Sequence, residues 1–306
     1  MNKTVLLFTI FSVIGFTSAT KSQTNIKNNL TGLGIPLEKT KENSQLINIA
    51  FFGVDRLSTS DFGNSDLIMI ISIDTETKKV KLSSIMRDTY VKIYARGQNK
   101  INAAYFEGGP QLAIRTLNEN FDLAIKEYIS VDFFGSAKII QALGGLEIDV
   151  KTEELEFLNN YLGEIAGIEG VKPKFVNQPG LQLLDGRQCV SYSRIRAVGR
   201  GDYGRIDRQK TVMNALMSKF NMNKEELLSI IIKDVLPNIE TNLDYSQLYH
   251  LGTKLMSSGS KSFNHARFPL DDHSKGMRID SIWYLSTDLK ATTQSLHNFI
   301  YRDIKP

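Results

Sequence analysis

Five arginines (Arg194, Arg196, Arg200, Arg205 and Arg208) fall within fifteen residues, inside the stretch SRIRAVGRGDYGRIDRQK. A guanidinium is a planar fork of N–H donors that matches phosphate oxygens two at a time. The alternation of 188–196 (QCVSYSRIR) predicts a strand with Val190, Tyr192, Arg194 and Arg196 on one face, which sets two such forks side by side. In the helix predicted from about 206 to 220, Arg205, Gln209, Val212, Leu216 and Phe220 follow at steps of four, three, four and four and share a stripe. The lower three are apolar and face a core. Arg205 and Gln209 therefore head a buried stripe at a helix N-terminus, an end whose free N–H groups and dipole favour anions. Asp202 is placed to cap that helix or to hold an arginine. A solvated basic face is the plain alternative, and polar residues on a core-facing stripe argue against it.

Asp55, Asp66 and Arg87 make a second constellation. The runs 46–54 (LINIAFFGV), 67–73 (LIMIISI) and 79–86 (KVKLSSIM) read as strands, the first two apolar throughout, as in strands covered on both faces. The polar DTETK between the second and third predicts a hairpin. With its turn centred between Glu76 and Thr77, Asp66 lies ten residues before and Arg87 ten after. They face each other across the open end, provided the register carries no bulge. Carboxylates at strand ends are commonly turn caps. Beside a guanidinium, though, Asp55 and Asp66 offer the sparse acidic set that holds Mg²⁺ when phosphate oxygens and water complete its shell. Lys100, in NKINAAY ahead of Gly108-Gly109, is a weaker candidate, since a loop lysine is ordinarily just solvated.

Further helices are predicted at 110–120, 133–143, 153–166, 224–236 and 245–258, and strands at 129–131 and 146–150. The stretch 279–301 holds the single tryptophan, Trp283, and ends in a helix. Strands interleaved with helices predict the α/β class, a three-layer α/β/α sandwich with a central mixed β-sheet. In a chain of 306 residues, 42% hydrophobic and 23% charged residues exclude a disordered or polytopic membrane chain. The net charge of +4 alone argues for nothing. One cysteine, Cys189, excludes an internal disulfide, and four histidines without ligand spacing disfavour a zinc enzyme. Residues 4–19 (TVLLFTIFSVIGFTSA) are uncharged and apolar behind Lys3. They read as a secretory signal peptide cleaved after Ala19 or as a short uncleaved anchor. Either puts the rest of the chain outside the cytoplasm. Residues 20–45 read as a polar stalk, poor in apolar surface, with the folded body starting near Leu46.

These pieces resemble the LytR-CpsA-Psr proteins of bacterial cell walls. The matching segments are FFGVD (51–55), SD (65–66), MRDTYV (86–91), KINAAY with the later GG (100–109), and LDGRQCVSYSRIR…GDYGRIDRQ (184–209). The likeness runs from about Leu46 to the C-terminus. It implies a catalytic domain over 46–306, with core motifs in 46–220 and a helical part in 221–306. It further implies a membrane-anchored phosphotransferase with a cytoplasmic N-terminus and an extracytoplasmic body, or a secreted one if the leader is cleaved. Such enzymes take a glycopolymer (teichoic acid, capsule or a similar polysaccharide) from a polyprenyl-pyrophosphate carrier. They attach it to a peptidoglycan hydroxyl with Mg²⁺, Mn²⁺ being the alternative ion. By motif position, Asp55 and Asp66 correspond to the metal-side carboxylates and Arg87 to the catalytic arginine. Arg87, Lys100, Arg194, Arg196, Asp202, Arg205 and Gln209 correspond to the pyrophosphate-binding set. Asp55 is the hypothesised general base, acting directly or through the metal's shell. The resemblance also implies a lipid channel between sheet and helices. Phe133, Phe134, Ile139, Ile140, Leu143, Val212, Leu216 and Phe220 are apolar enough to line it, core packing being the alternative for each.

The sequence departs from the family pattern at Asn64, where an arginine is usual, and at Met86, in place of the proline of PRDT. Two other function classes stand beside the transferase. One is a non-catalytic binder of polyprenyl pyrophosphate or glycan. The other is a transcriptional regulator, which lacks support: no helix-turn-helix pattern is visible, and a Gly-rich turn interrupts the arginines. No nucleic-acid partner is expected.

Overall fold

The structure, a computed structural model, describes residues 32–36, 45–56, 62–77, 79–199, 201–219, 226, 229–257 and 264–306, and at 202, 217 and 252–257 the backbone only. Strands β1 (Leu46–Asp55), β2 (Asn64–Asp74) and β3 (Val80–Ile85) form an antiparallel meander. β1 reads as unbroken apolar because both its faces are covered, Ala50, Phe52 and Val54 on one and Ile49 with Phe51 on the other. Between β2 and β3 the register runs from Ile68 opposite Ile85 to Ile73 opposite Val80 without a shift, so Asp66 and Arg87 meet at the open end as the sequence predicts. The irregularity lies on the opposite edge of β2. Gly53 pairs with Leu67 but Val54 with Ser65, which leaves Asp66 as the extra residue of a β-bulge.

The ribbon β4 (Tyr90–Ile93) and β5 (Gly97–Lys100) leads into α1 (Ala103–Phe121). This helix is broken at Gly108 and Gly109, and Pro110 opens its second segment. Strand β6 (Glu127–Asp132) runs parallel to β1, and Asp132 caps α2 (Phe133–Ala142) by accepting from the Gly135 amide at 2.7 Å. A second ribbon, β7 (Leu146–Val150) with β8 (Gly180–Leu184), brackets α3 (Thr152–Glu169). Next come α4 (Gly186–Arg194) and α5 (Asp202–Ser218). The chain then adds β9 (Glu240–Thr241), α6 (Tyr245–Ser257), β10 (Asn264–Phe268), the hairpin β11 (Ser274–Ile279) with β12 (Ile282–Thr287), and α7 (Leu289–Arg302).

The central sheet has the order β10-β3-β2-β1-β6-β9 and is mixed, with β10–β3 and β1–β6 parallel. One face buries Phe52, Ile70 and Phe268 against Tyr105 and Leu117 of α1 and Phe299 of α7. The other packs Ile49, Met69 and Leu82 against Met213 of α5 and Leu251 of α6. These are the three layers expected. A separate cluster, with Ile148, Leu158, Leu162 and Leu184 at its centre, joins β7, β8, α3 and α4 beside the sheet.

Three expectations are corrected. Residues 188–196 are not a strand: Asp185 and Gln188 form a reciprocal capping box that starts helix α4. The segment 20–45 is not wholly an unpacked stalk, because Leu33 and Ile35 are buried in the main core and the Leu33 carbonyl accepts from Asn118 at 2.9 Å. The part 221–306 is not simply helical. It supplies β9 and β10 to the central sheet and the hairpin β11–β12. Of the helix expected at 224–236, residues 226 and 229–230 are helical, and the described end is a π-helical turn over Ile231–Val235 and a 3₁₀ turn over Leu236–Asn238.

Candidate active site

The bulge at Asp66 turns one carboxylate into the hub of the site. Its Oδ2 accepts from Arg87 Nη1 at 2.6 Å, Arg196 Nη2 at 2.9 Å and Arg205 Nη1 at 3.5 Å. The Asp66 backbone carbonyl, unpaired in the ladder with β1, accepts from Arg205 Nη2 at 3.5 Å. Oδ1 takes a long bond from Asn102 Nδ2 at 3.4 Å. Five places in the chain converge here: β2, the end of β3, the turn between β5 and α1, the turn after α4 and the start of α5. Arg205 is only 3% exposed, consistent with its place at the head of the core-facing stripe. Gln209 lies one turn further along α5, half-buried.

Arg194 and Arg196 do not form two parallel forks. Arg194 ends α4 with its guanidinium carbon 4.7 Å from the Phe133 ring centre and 4.9 Å from that of Tyr161, and its Nη1 3.8 Å from Glu164. Arg196, past the helix, reaches Asp66. Both nevertheless act electrostatically on Asp55. Asp55 ends β1, where the returning backbone comes so near that a Cβ on Gly63 would lie 2.0 Å from the Asp55 carbonyl oxygen. Only a glycine fits that approach.

Lys100 is held back from the hub. Its Nζ lies 2.6 Å from Asp88, whose carboxylate is also 3.4 Å from Arg87 Nε, and 5.7 Å from the Tyr284 ring centre. Arg208 serves the site from below: it is buried against Glu154 at 2.7 Å and donates to the carbonyls of Ile195 and Val198 at 3.2 Å each. It thereby clamps the turn that carries Arg196. The sequence reading missed Asn102, Asp88, Tyr161 and Glu154 as partners. The carboxylates lie in ordinary-looking helix and turn segments, and only tertiary structure brings them to their arginines. The side chain of Asp202, and Arg200 and Phe220 entirely, lie outside the described residues.

The residues expected to line a lipid channel divide between two clusters. Ile140, Val212 and Leu216 pack with the β7–β8 cluster, and Phe133 and Phe134 against Ala137, Ile165 and Val190. Ile140 and Leu143 are buried, and Phe133 is the ring beneath Arg194.

Burial pushes the Asp55 carboxyl up from its ordinary value and the neighbouring Asp66 charge adds to this. Arg194, Arg196 and Arg87 oppose the rise without cancelling it. Burial also acts on Asp66, but the charges of Arg87 and Arg205, with the Arg87 hydrogen bond, outweigh it and hold that carboxyl below its ordinary value. Among the described residues no three His, Cys, Asp or Glu gather as a metal cage. Asp55 and Asp66, close enough for one charge to raise the other, are hard oxygen donors. They fit a small divalent cation that shares its shell with phosphate and water. Cations and carboxylates alternate through the site: Arg87 contacts Asp66 and Asp88, Arg194 faces Glu164, and Arg196 and Arg205 share Asp66.

Comparison with known proteins bears on the chain as a whole. A profile described as the LytR_cpsA_psr family matches residues 9–299. A protein of Oceanobacillus iheyensis named polyisoprenyl-teichoic acid–peptidoglycan teichoic acid transferase TagU is 34% identical, over 81% of this chain and 75% of its own. The crystal structure of Bacillus subtilis TagV superposes with a TM-score of 0.65 at 24% identity, covering 86% of this chain and all of that one (100%). Bacillus subtilis YwtF (TagT), solved with bound octaprenyl pyrophosphate lipid, superposes with a TM-score of 0.63 at 21% identity, covering 84% and 91% of the two chains.

Proposed function

Because the chain belongs to the LytR-CpsA-Psr family, we propose that it is a phosphotransferase of cell-wall assembly. It moves a glycopolymer such as teichoic acid from a polyprenyl-pyrophosphate carrier to a peptidoglycan hydroxyl. The acceptor oxygen bonds to the phosphorus nearest the sugar while the bond from that phosphorus to the bridging oxygen breaks. That electron pair departs with polyprenyl phosphate, and the acceptor's proton goes to Asp55. Asp55 would take it directly or through the shell of the metal it helps to hold. Arg87, Arg196 and Arg205, now gathered on Asp66, would take the pyrophosphate oxygens and stabilise the charge that builds on them. Arg194, stacked and fixed by two rings, adds a positive charge on the Asp55 side. Asp55 and Asp66 would hold Mg²⁺, or Mn²⁺ in its place, which when bound supplies further neutralisation of the leaving group.

The observation that carries this reading is the convergence of three arginines from separate elements on a single bulged carboxylate. The body would work outside the cytoplasm, facing a membrane that supplies the carrier lipid. Its leader, 4–19, lies outside the described residues, and none of the described helices is long and apolar enough to cross a membrane. The test is to incubate the full chain in detergent micelles with a polyprenyl-pyrophosphate-linked glycan and soluble peptidoglycan fragments, with and without Mg²⁺. A covalent glycan–peptidoglycan phosphodiester formed only with the metal is expected. A donor that is bound but never transferred would leave a binding protein instead.

A further inference from the structure

The hairpin β11–β12 is bonded directly to the segment that carries Arg87. The Leu285 amide donates to the Asp88 carbonyl at 2.9 Å, and Thr89 bridges to Leu285. Leu285 is buried with Met86, Ile206 and Tyr203, so this face of β12 forms a wall beside the start of α5. Two residues further out, on the same face by the alternation of a strand, stands Trp283, the single tryptophan of the chain. It is 38% exposed, far more than a core indole would be. Its ring does not project off the hairpin. A Cβ on Gly276 would meet Nε1 at 2.9 Å and Cε2 and Cζ2 at 3.4 Å, so the indole lies over the bare backbone of β11. Its cross-strand partner is the exposed Arg278.

A seated indole with an accessible face, a guanidinium alongside, and a continuous wall leading to the phosphate-binding arginines make a recognisable chemistry. The electron-rich face of an aromatic ring attracts the polarised C–H bonds on one side of a pyranose. The guanidinium complements a carboxylate on that sugar or its substituents. We propose that Trp283 and Arg278 form the subsite that holds the acceptor glycan, a strand of N-acetylated, carboxylate-bearing sugars, with its hydroxyl presented toward Arg87. This rests on the transferase reading above for the identity of the acceptor. Ile279 and Ile282, exposed at the hairpin end, raise a bilayer as the rival occupant. The turn between them is Asp280-Ser281, both exposed, and a carboxylate at the foremost point opposes insertion into hydrocarbon.

Because Trp283 is the sole tryptophan, its fluorescence reports on this place alone. The full chain in detergent micelles is titrated with a soluble peptidoglycan tetrasaccharide, without donor or metal. A saturable change in emission supports the subsite. No response, or a response to phosphatidylglycerol vesicles in place of the glycan, overturns it. In the transfer assay, Trp283→Ala and Arg278→Gln each raise the acceptor's KM about tenfold and leave kcat within about twofold, while Trp283→Phe recovers most of the loss. An unchanged acceptor KM in both variants overturns the proposal even if transfer proceeds. Conversely, glycan binding by a protein that transfers nothing would defeat the transferase reading and leave the subsite standing.

Discussion

Arg87 Nη1 and Asp66 Oδ2 stand 2.6 Å apart at the open end of the β2–β3 hairpin, and the same oxygen also serves Arg196 and Arg205. One carboxylate oxygen thus occupies the place that three guanidiniums would otherwise give to a phosphate. In the proposed mechanism, replacing Arg87 removes a donor to the charge that develops on transfer. Arg87→Ala should lower kcat by about 10²–10³-fold with a smaller loss of donor affinity. Arg87→Lys should not restore it, because an ammonium lacks the fork. Steady-state transfer kinetics decide between this and a purely binding role.

In the proposed site, Asp66 competes with pyrophosphate for the same arginines. In the presence of a chelator, Asp66→Asn should bind inorganic pyrophosphate about tenfold more tightly than the wild type, since a charge-assisted partner no longer holds the arginines. Calorimetric titration checks the sign, and equal or weaker binding would refute it. If Asp66 holds the proposed metal, transfer should nonetheless be lost.

The Arg208–Glu154 pair is buried at both ends. Removing one partner strands the other charge, so Glu154→Gln should cost roughly 3–5 kcal/mol in denaturant unfolding. The double substitution Arg208→Met with Glu154→Leu should recover much of that stability. It should not recover donor affinity, because the carbonyls of Ile195 and Val198 lose their clamp and the turn bearing Arg196 loosens.

His265 on β10, with Nε2 3.0 Å from Ser84 Oγ, is held neutral. Burial, then Lys210 and Arg267, bring its pKa from 6.5 down to about 4, Asp207 opposing. Between those two pH values the unfolded chain binds the proton and the native one does not. The stability due to the neutral ring is therefore full above pH 6.5 and is lost as pH falls through about 4. His265→Gln should flatten that part of the melting-temperature profile.

The central strands were legible because a sheet covered on both faces writes itself as unbroken apolar runs, and the Asp66–Arg87 pairing followed from counting outward from one turn. The aspartates and arginines of the site were legible as residue types. Their arrangement was legible only in part. The alternation of Val190, Tyr192, Arg194 and Arg196 suggested a strand, yet Asp185 and Gln188, three residues apart as a capping box requires, mark a helix start there. β10 was missed because a short strand pairing in parallel with the distant β3 leaves no local turn to betray it. Asn102 reaches Asp66, and Glu154 reaches Arg208, only through tertiary packing.

Leu33 and Ile35 sit among the side chains of the main core, and Asn118 holds the Leu33 carbonyl and both backbone groups of Ile125. A recombinant version trimmed to begin at β1 would leave a hole where two aliphatic groups had been and would strip Asn118 of one of its two side-chain N–H bonds. Such a deletion should cost several kcal/mol by the usual penalty for emptied core volume, enough to be mistaken for an intrinsically fragile enzyme. Any excised domain meant for study should therefore start ahead of Leu33.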